Sequence, residues 1–277
     1  MLIRRYLGAL AFALLAGPLL ADAPLKRLTL RQDLLGWEAV GRVEIGRGGY
    51  CTGVLIAPDL VLTAAHCLFG GGTYANVADL RFRAGLRDGV ALAESDVLKA
   101  LAHPAYDPRG RDRAKQIRWD VGLLQLANPV PVTTAAPFPT ATLSDGARGL
   151  SVVSYGQGRD DALSWDERCG VLGRSGGLIA FDCDVTFGSS GAPVFHRTGG
   201  RAALVSLVSA GVAEGGDRVA FGMELPQAVA ELKAALRRGD GDRLPPPAPE
   251  GQAGARTIRP SVGFGTKASG GAKFLTP

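Results

Sequence analysis

The feature that most restricts the fold of this chain is a rhythm of short apolar or alternating runs, interrupted by clusters of Gly, Pro, Asn and Asp roughly every ten residues. The runs are Trp37 to Ile45, Asp79 to Ala84, Leu92 to Leu101, Leu150 to Tyr155, Leu178 to Phe181, Ala202 to Ser209 and Arg218 to Met223. This punctuation predicts antiparallel strands in an all-β sandwich or barrel. One helix is expected. Pro226 suits a first helical position, Val229, Leu232 and Leu236 recur at three- and four-residue spacing, and Gly239 can end it. About 220 residues lie between the N-terminal apolar segment and a Pro-rich tail, enough for one large β domain or two small ones.

Met1 to Ala23 carries Arg4-Arg5, an apolar core from Leu7 to Leu20, and Ala21-Asp22-Ala23 in a small-x-small cleavage pattern. These residues read as a signal peptide. The apolar run is shorter than the roughly 18 residues of a spanning helix, and no later run reaches that length. The expectation is an exported mature protein, secreted or periplasmic, with no membrane attachment. All four cysteines follow the signal, so an oxidising compartment would let them pair in one of three connectivities. Cys51 with Cys67 and Cys169 with Cys183 is the favoured set, because each pair flanks a strand-like segment. Each closes a short loop, worth about 3 kcal/mol.

Between Cys51 and Cys67, two apolar runs split by Pro58-Asp59 read as a hairpin that the bridge would staple. It ends in Thr63-Ala64-Ala65-His66-Cys67, so His66 would be held rigidly. Trp119-Asp120-Val121-Gly122-Leu123-Leu124 supplies a carboxylate ahead of an apolar run, and Gly188-Ser189-Ser190-Gly191-Ala192-Pro193 supplies a hydroxyl in a tight small-residue loop. At these residues the chain resembles the trypsin-like (chymotrypsin-fold) serine endopeptidases of the bacterial branch. The resemblance implies two six-stranded antiparallel β-barrels closed by a C-terminal helix, with the active site between them.

Three residues then take roles: Ser190 as nucleophile, His66 as general base, Asp120 as the group that orients the imidazole. A buried carboxylate between Trp119 and Val121 needs a partner, and an imidazole N–H is one. Gly188 and Gly191 let the backbone turn sharply, so that the N–H groups of Gly188 and Ser190 can form an oxyanion hole. By resemblance, Ser209, Ala210 and Gly211 form the segment on which an extended substrate pairs, with Ala210 in place of a usual Trp and a wider pocket as the result. Asp184, six residues before Ser190, falls where the family places the floor of the primary pocket, implying cleavage after Arg or Lys. A glutamyl-endopeptidase-like specificity and a non-catalytic binding protein on the same scaffold are the alternatives. Ser189 stands where many members have Asp, and no Ile-Val-Gly-Gly start precedes Cys51. Activity is therefore expected without an activation cut, once the signal and at most a short piece up to about Trp37 are gone.

No cofactor is expected. Zinc is the competing use of Cys and His, but His66 abuts Cys67 and there is no C-x-x-C, so the spacing suits a metal poorly. Arg109 to Arg118 reads as a solvated charged loop without the interleaved aromatics of a nucleic-acid site. His103 reads as part of a surface strand and turn. The span 24–238 forms the protease domain, and 239–277 a loosely attached Pro/Gly-rich tail. The expected partners are protein or peptide substrates, met by a monomer; the net charge of +5 only favours acidic surfaces over basic ones.

Overall fold

A computed structural model describes residues 25–197, 202–214 and 217–243. The proposed signal at 1–23 and the tail beyond Arg243 lie outside the described residues. The chain enters on β1 (Lys26–Arg27) and continues through β2 (Val40–Ile45), β3 (Gly49–Ala57), β4 (Leu60–Thr63) and a small hairpin of β5 (Phe69–Gly70) and β6 (Thr73–Tyr74). Then come β7 (Leu80–Ala84), β8 (Ala93–Ala102), helix α1 (Arg113–Trp119) and β9 (Gly122–Leu126). Strands β2, β3, β4, β9, β8 and β7 pair in that cyclic order, so six antiparallel strands close into a barrel. Closure leaves no unpaired edge among them.

The second half holds β10 (Gly149–Ser154), β11 (Ser164–Ser175), β12 (Leu178–Phe181), β13 (Pro193–His196), β14 (Ala203–Leu207), β15 (Ala210–Glu214) and β16 (Asp217–Met223). They pair in the order β14-β13-β10-β11-β12-β16-β15, with β1 added alongside β11. All seven sequence runs became strands. The second barrel, however, is a half-barrel: among the described residues no ladder joins β14 to β16. The two strands meet instead through Gly222, where a Cβ would collide with the Leu207 carbonyl, and through Ser206 Oγ, which donates to Met223 O at 2.8 Å.

Helix α2 (Pro226–Arg238) starts at Pro226 and ends on Gly239, whose φ of +91° suits a residue without a Cβ. Its buried face is Ala228, Val229, Leu232 and Ala235, and it packs on β8 and β9. Beyond it, β17 (Asp242–Arg243) pairs with Lys99 and Ala100 of β8. The first residues after α2 thus join the first barrel.

The two halves share an aromatic seam. Trp37 contacts Phe138, Trp165 and Phe195 at ring-centroid distances of 6.1, 5.3 and 5.1 Å. Tyr155 O–H crosses to donate to Leu86 O at 2.9 Å. The segment up to Trp37 is also integral, which corrects the expectation that it could be dispensed with. Leu28, Leu34 and Trp37 are buried, and the Leu28 N–H donates to Leu163 O at 2.8 Å.

A second correction concerns Arg109 to Arg118. Its latter part is α1, not a loop. Asp112 caps the helix by accepting the Lys115 N–H at 3.1 Å, and Ile117 is its buried anchor. The charge density of the stretch hid one capping residue and one apolar contact.

Candidate active site

The first barrel contributes a histidine and a carboxylate. β4 delivers the chain into a 3-10 turn over Ala65–Leu68 that carries His66, and the Cys51–Cys67 disulfide ties this turn to β3. Asp120 sits between α1 and β9 and is 3% exposed. Its Oδ1 accepts the His66 backbone N–H at 2.8 Å, and its Oδ2 lies 2.7 Å from His66 Nδ1. Ser209 Oγ donates to the same Oδ2 at 2.6 Å. An ionised carboxylate only accepts, so it holds the proton on Nδ1 and leaves the Nε2 lone pair free to face outward. Ser190 Oγ is 2.8 Å from that nitrogen.

Ser190 comes from the second half, in a loop that needs its glycines. Gly188 has φ +85° and Gly191 φ +73°. A Cβ on Gly188 would strike the Tyr50 ring and the Tyr155 carbonyl, and one on Gly191 would strike Thr63 and Thr52. Among the described residues, the N–H groups of Gly188 and Ser190 donate to no protein acceptor. Thr52 of the first barrel anchors this loop: its N–H donates to Ser190 O at 2.9 Å and its Oγ1 to Gly188 O at 2.9 Å. Sequence reasoning missed Thr52. The signal was a Thr beside Cys51 in an otherwise apolar strand, where a buried hydroxyl needs partners.

Ser189 is fully buried, with its Oγ 3.1 Å from Ser154 Oγ and accepting the Thr186 N–H at 3.3 Å. Neutral hydroxyls therefore hold the position before Ser190. Asp184 is tied by its N–H to Asp166 Oδ2 at 2.7 Å, and its carboxylate meets Arg218 Nη1 at 2.5 Å. Burial raises the Asp166 pKa above the usual carboxylate range, against the two backbone N–H groups, of Asp184 and Arg168, that it accepts. Asp184 is thus a partly covered, ion-paired group beside β16. The Cys169–Cys183 disulfide immediately precedes it.

Ser209 and Ala210 border a cavity of about 30 Å³ with His66, Tyr106, Arg113, Gln116 and Ile117. The small Ala210 does not open this region, because α1 brings Ile117 and Gln116 against the same space. Gly211 pairs with Ala220 in the β15–β16 ladder. His103 is buried, not on a surface turn: Trp119 stacks on it at 4.5 Å and Glu231 of α2 takes its Nε2 at 2.8 Å. Burial lowers the His103 pKa, while Glu231 works in the opposite direction.

Among the described residues, two groups bring potential ligand atoms within 4.8 Å of one another, Cys51-His66-Cys67 and Asp166-Cys169-Cys183. In both, the sulfurs are joined in disulfides, so neither offers a thiolate.

A closed six-stranded barrel facing a half-barrel, with a serine, a histidine and an aspartate in one hydrogen-bonded line between them, is the architecture of chymotrypsin-like peptidases. The chain belongs to the trypsin-like peptidase domain family, which matches residues 51–204. It is 32% identical over 113 residues to a trypsin of Phaedon cochleariae, covering 39% of this chain and 40% of that protein. It is 36% identical over 102 residues to serine protease 56 of Homo sapiens, covering 36% of this chain and 16% of that one. A trypsin-like protease of Streptomyces glaucescens is 30% identical over 112 residues, covering 40% of this chain and 38% of the other. The chain thus spans two fifths or less of these relatives' lengths. Among solved structures, a Glu endopeptidase in complex with MPD superposes with a TM-score of 0.63 at 16% identity, covering 78% of this chain and 97% of the other. A thermostable serine protease, AL20, from an extremophilic microorganism gives 0.58 at 19% identity, covering 72% and 97%. At such identities these two likenesses speak for the fold alone.

Proposed function

We propose that the protein is an exported serine endopeptidase that hydrolyses peptide bonds through an acyl-enzyme, acting as a monomer without a cofactor. The observation that carries this is the line from Ser190 Oγ to His66 Nε2 at 2.8 Å and from His66 Nδ1 to Asp120 at 2.7 Å. Beside it lie the uncommitted N–H groups of Gly188 and Ser190. Ser190 Oγ attacks the scissile carbonyl as His66 takes its proton, and the resulting oxyanion is met by those two donors. The imidazolium, steadied by Asp120, then gives the proton to the leaving amine. Water repeats the sequence on the ester, regenerating Ser190 and releasing the acid. Two disulfides in the fold suit the oxidising compartment that the signal peptide implies.

The test is a fluorogenic peptide library with the purified mature protein, together with an organophosphonate. Turnover and labelling of Ser190 alone, both lost in His66→Ala, are expected. A protein that neither cleaves nor labels is a binding protein on this scaffold, and labelling at full rate in His66→Ala would show an unactivated hydroxyl.

Primary specificity follows from Asp184 in the same reading. A carboxylate in a cleft of reduced dielectric favours a cationic substrate side chain, so cleavage after Arg or Lys is expected. Arg218 already pairs with that carboxylate and must share or yield it. We expect kcat/KM for Arg-containing substrates to rise severalfold in Arg218→Ser and to drop more than about tenfold in Asp184→Ser. A native profile led by Glu or by large apolar residues would refute the assignment of Asp184.

A further inference from the structure

The helix that sequence reading had as a loop gives the cleft a charged wall. Arg113, Gln116 and Ile117 of α1 border the cavity that touches His66 and Ala210. Gln116 is also part of the boundary of a second cavity, of about 200 Å³, with Asp107, Arg111, Asp112 and Lys115. The two cavities share Gln116 as a wall, so between them they border α1 and the loop before it from the reacting centre outward.

Arg109, Arg111, Arg113 and Lys115 are all exposed, and no ion pair engages them among the described residues. Arg118 is turned away, over the Trp119 ring at 4.4 Å, with Nη1 on the Glu224 carbonyl. Only Asp107 and Asp112 oppose these cations locally. Each has an oxygen committed to a backbone N–H, of Arg109 at 2.9 Å and of Lys115 at 3.1 Å. Four exposed cations thus stand against two exposed carboxylates between 107 and 115. With one oxygen of each carboxylate already held by a backbone N–H, the excess of positive charge along this wall favours ligands of the opposite sign.

The chemistry favours a peptide over a nucleic acid. Tyr106 packs on Phe69 at 5.7 Å and Trp119 on His103 at 4.5 Å, so neither ring is free to stack a base. We propose that this groove is a docking track for acidic peptide segments: substrates with Asp or Glu close to the scissile bond, on the side that faces α1, are bound in preference. This deepens the endopeptidase reading and rests on it for the position of the bond.

The test uses quenched-fluorescent peptides with a fixed scissile residue and a single Asp, Asn or Lys walked across four positions on each side. At low salt, Asp should beat Lys by about fivefold on one side only, through KM, and the gap should close near 0.5 M salt. In the charge-reversed variant R111E/R113E/K115E the order should invert. Equal use of Asp and Lys at low salt, or a preference for Asp that survives the reversal, overturns the proposal. Should no peptide be cleaved, fluorescence anisotropy of the labelled Asp and Lys peptides with Ser190→Ala protein separates the two claims. Tighter binding of the Asp peptide there keeps the track and discards the activity, and equal binding discards the track. Displacement by an oligothymidylate more readily than by an acidic peptide of equal charge would assign the groove to nucleic acid instead, and would also overturn it.

Discussion

Ser190→Ala and His66→Ala are each expected to lower kcat by roughly four to six orders of magnitude, with little further loss in the double variant. The reason is geometric. Ser190 Oγ is a poor nucleophile unless Nε2, 2.8 Å away, removes its proton, and Nε2 is basic only while Asp120 keeps the other proton on Nδ1. Removing either partner stops the same step, so the second removal has nothing left to cost. The residual rate comes from the Gly188 and Ser190 N–H donors and from substrate binding. Single-turnover kinetics on a peptide ester checks this. Losses that add in the exponent would mean that the two side chains act independently, and the acyl-enzyme route would have to be abandoned.

The N-terminus gives the second large effect. Protein beginning at Pro24 is expected to be folded and active with no later cut, whereas protein beginning at Glu38 is expected to fail to fold. Ser189 lies buried against Ser154 and Thr186, and among the described residues no carboxylate is bonded to it to await a newly made ammonium. The segment before Glu38 instead serves the core. Leu28 and Leu34 are buried, and β1 extends the sheet beside β11. Losing a buried leucine side chain costs about 2–5 kcal/mol, and two of them, with the Trp37 seam, approach the 5–15 kcal/mol by which a domain is stable. Thermal denaturation of the two forms, with activity measured alongside, decides it. A Pro24 form that stays inert until a specific cleavage makes a new N-terminus, whose acetylation then abolishes activity, would show that Ser189 has been misread.

Much of the fold was legible because alternation and turn residues act locally. The run from Leu178 to Phe181 and the helix from Pro226 to Gly239 are specified by their own residues, and both lie where their sequence puts them. The half-open second barrel was not legible, since it turns on Gly222 meeting the Leu207 carbonyl across a long sequence separation. The same holds around the site. His66, Asp120 and Ser190 sit in recognisable local contexts, but Thr52 reaches the Ser190 loop and Tyr155 through contacts more than a hundred residues away. Helix α1 escaped because its charge density and Gly110 spoke for a loop, although Arg113, Ala114, Lys115 and Gln116 are good helix formers between an Asp cap and a buried Ile117. His103 looked like a surface residue for want of any sign that Trp119 would cover it.

The division of the reacting groups between the two halves has a consequence in time. Ser190 follows His66 by 124 residues, and its loop is held from the other side by Thr52. A chain emerging N-terminus first has every strand from β2 to β9, with His66 and Asp120, well before it has the nucleophile they would serve. Until the second half has been made and has docked, the hydrogen-bonded line from Asp120 through His66 to Ser190 is incomplete. The order of the sequence thus withholds the last of the three reacting groups until the second half is present.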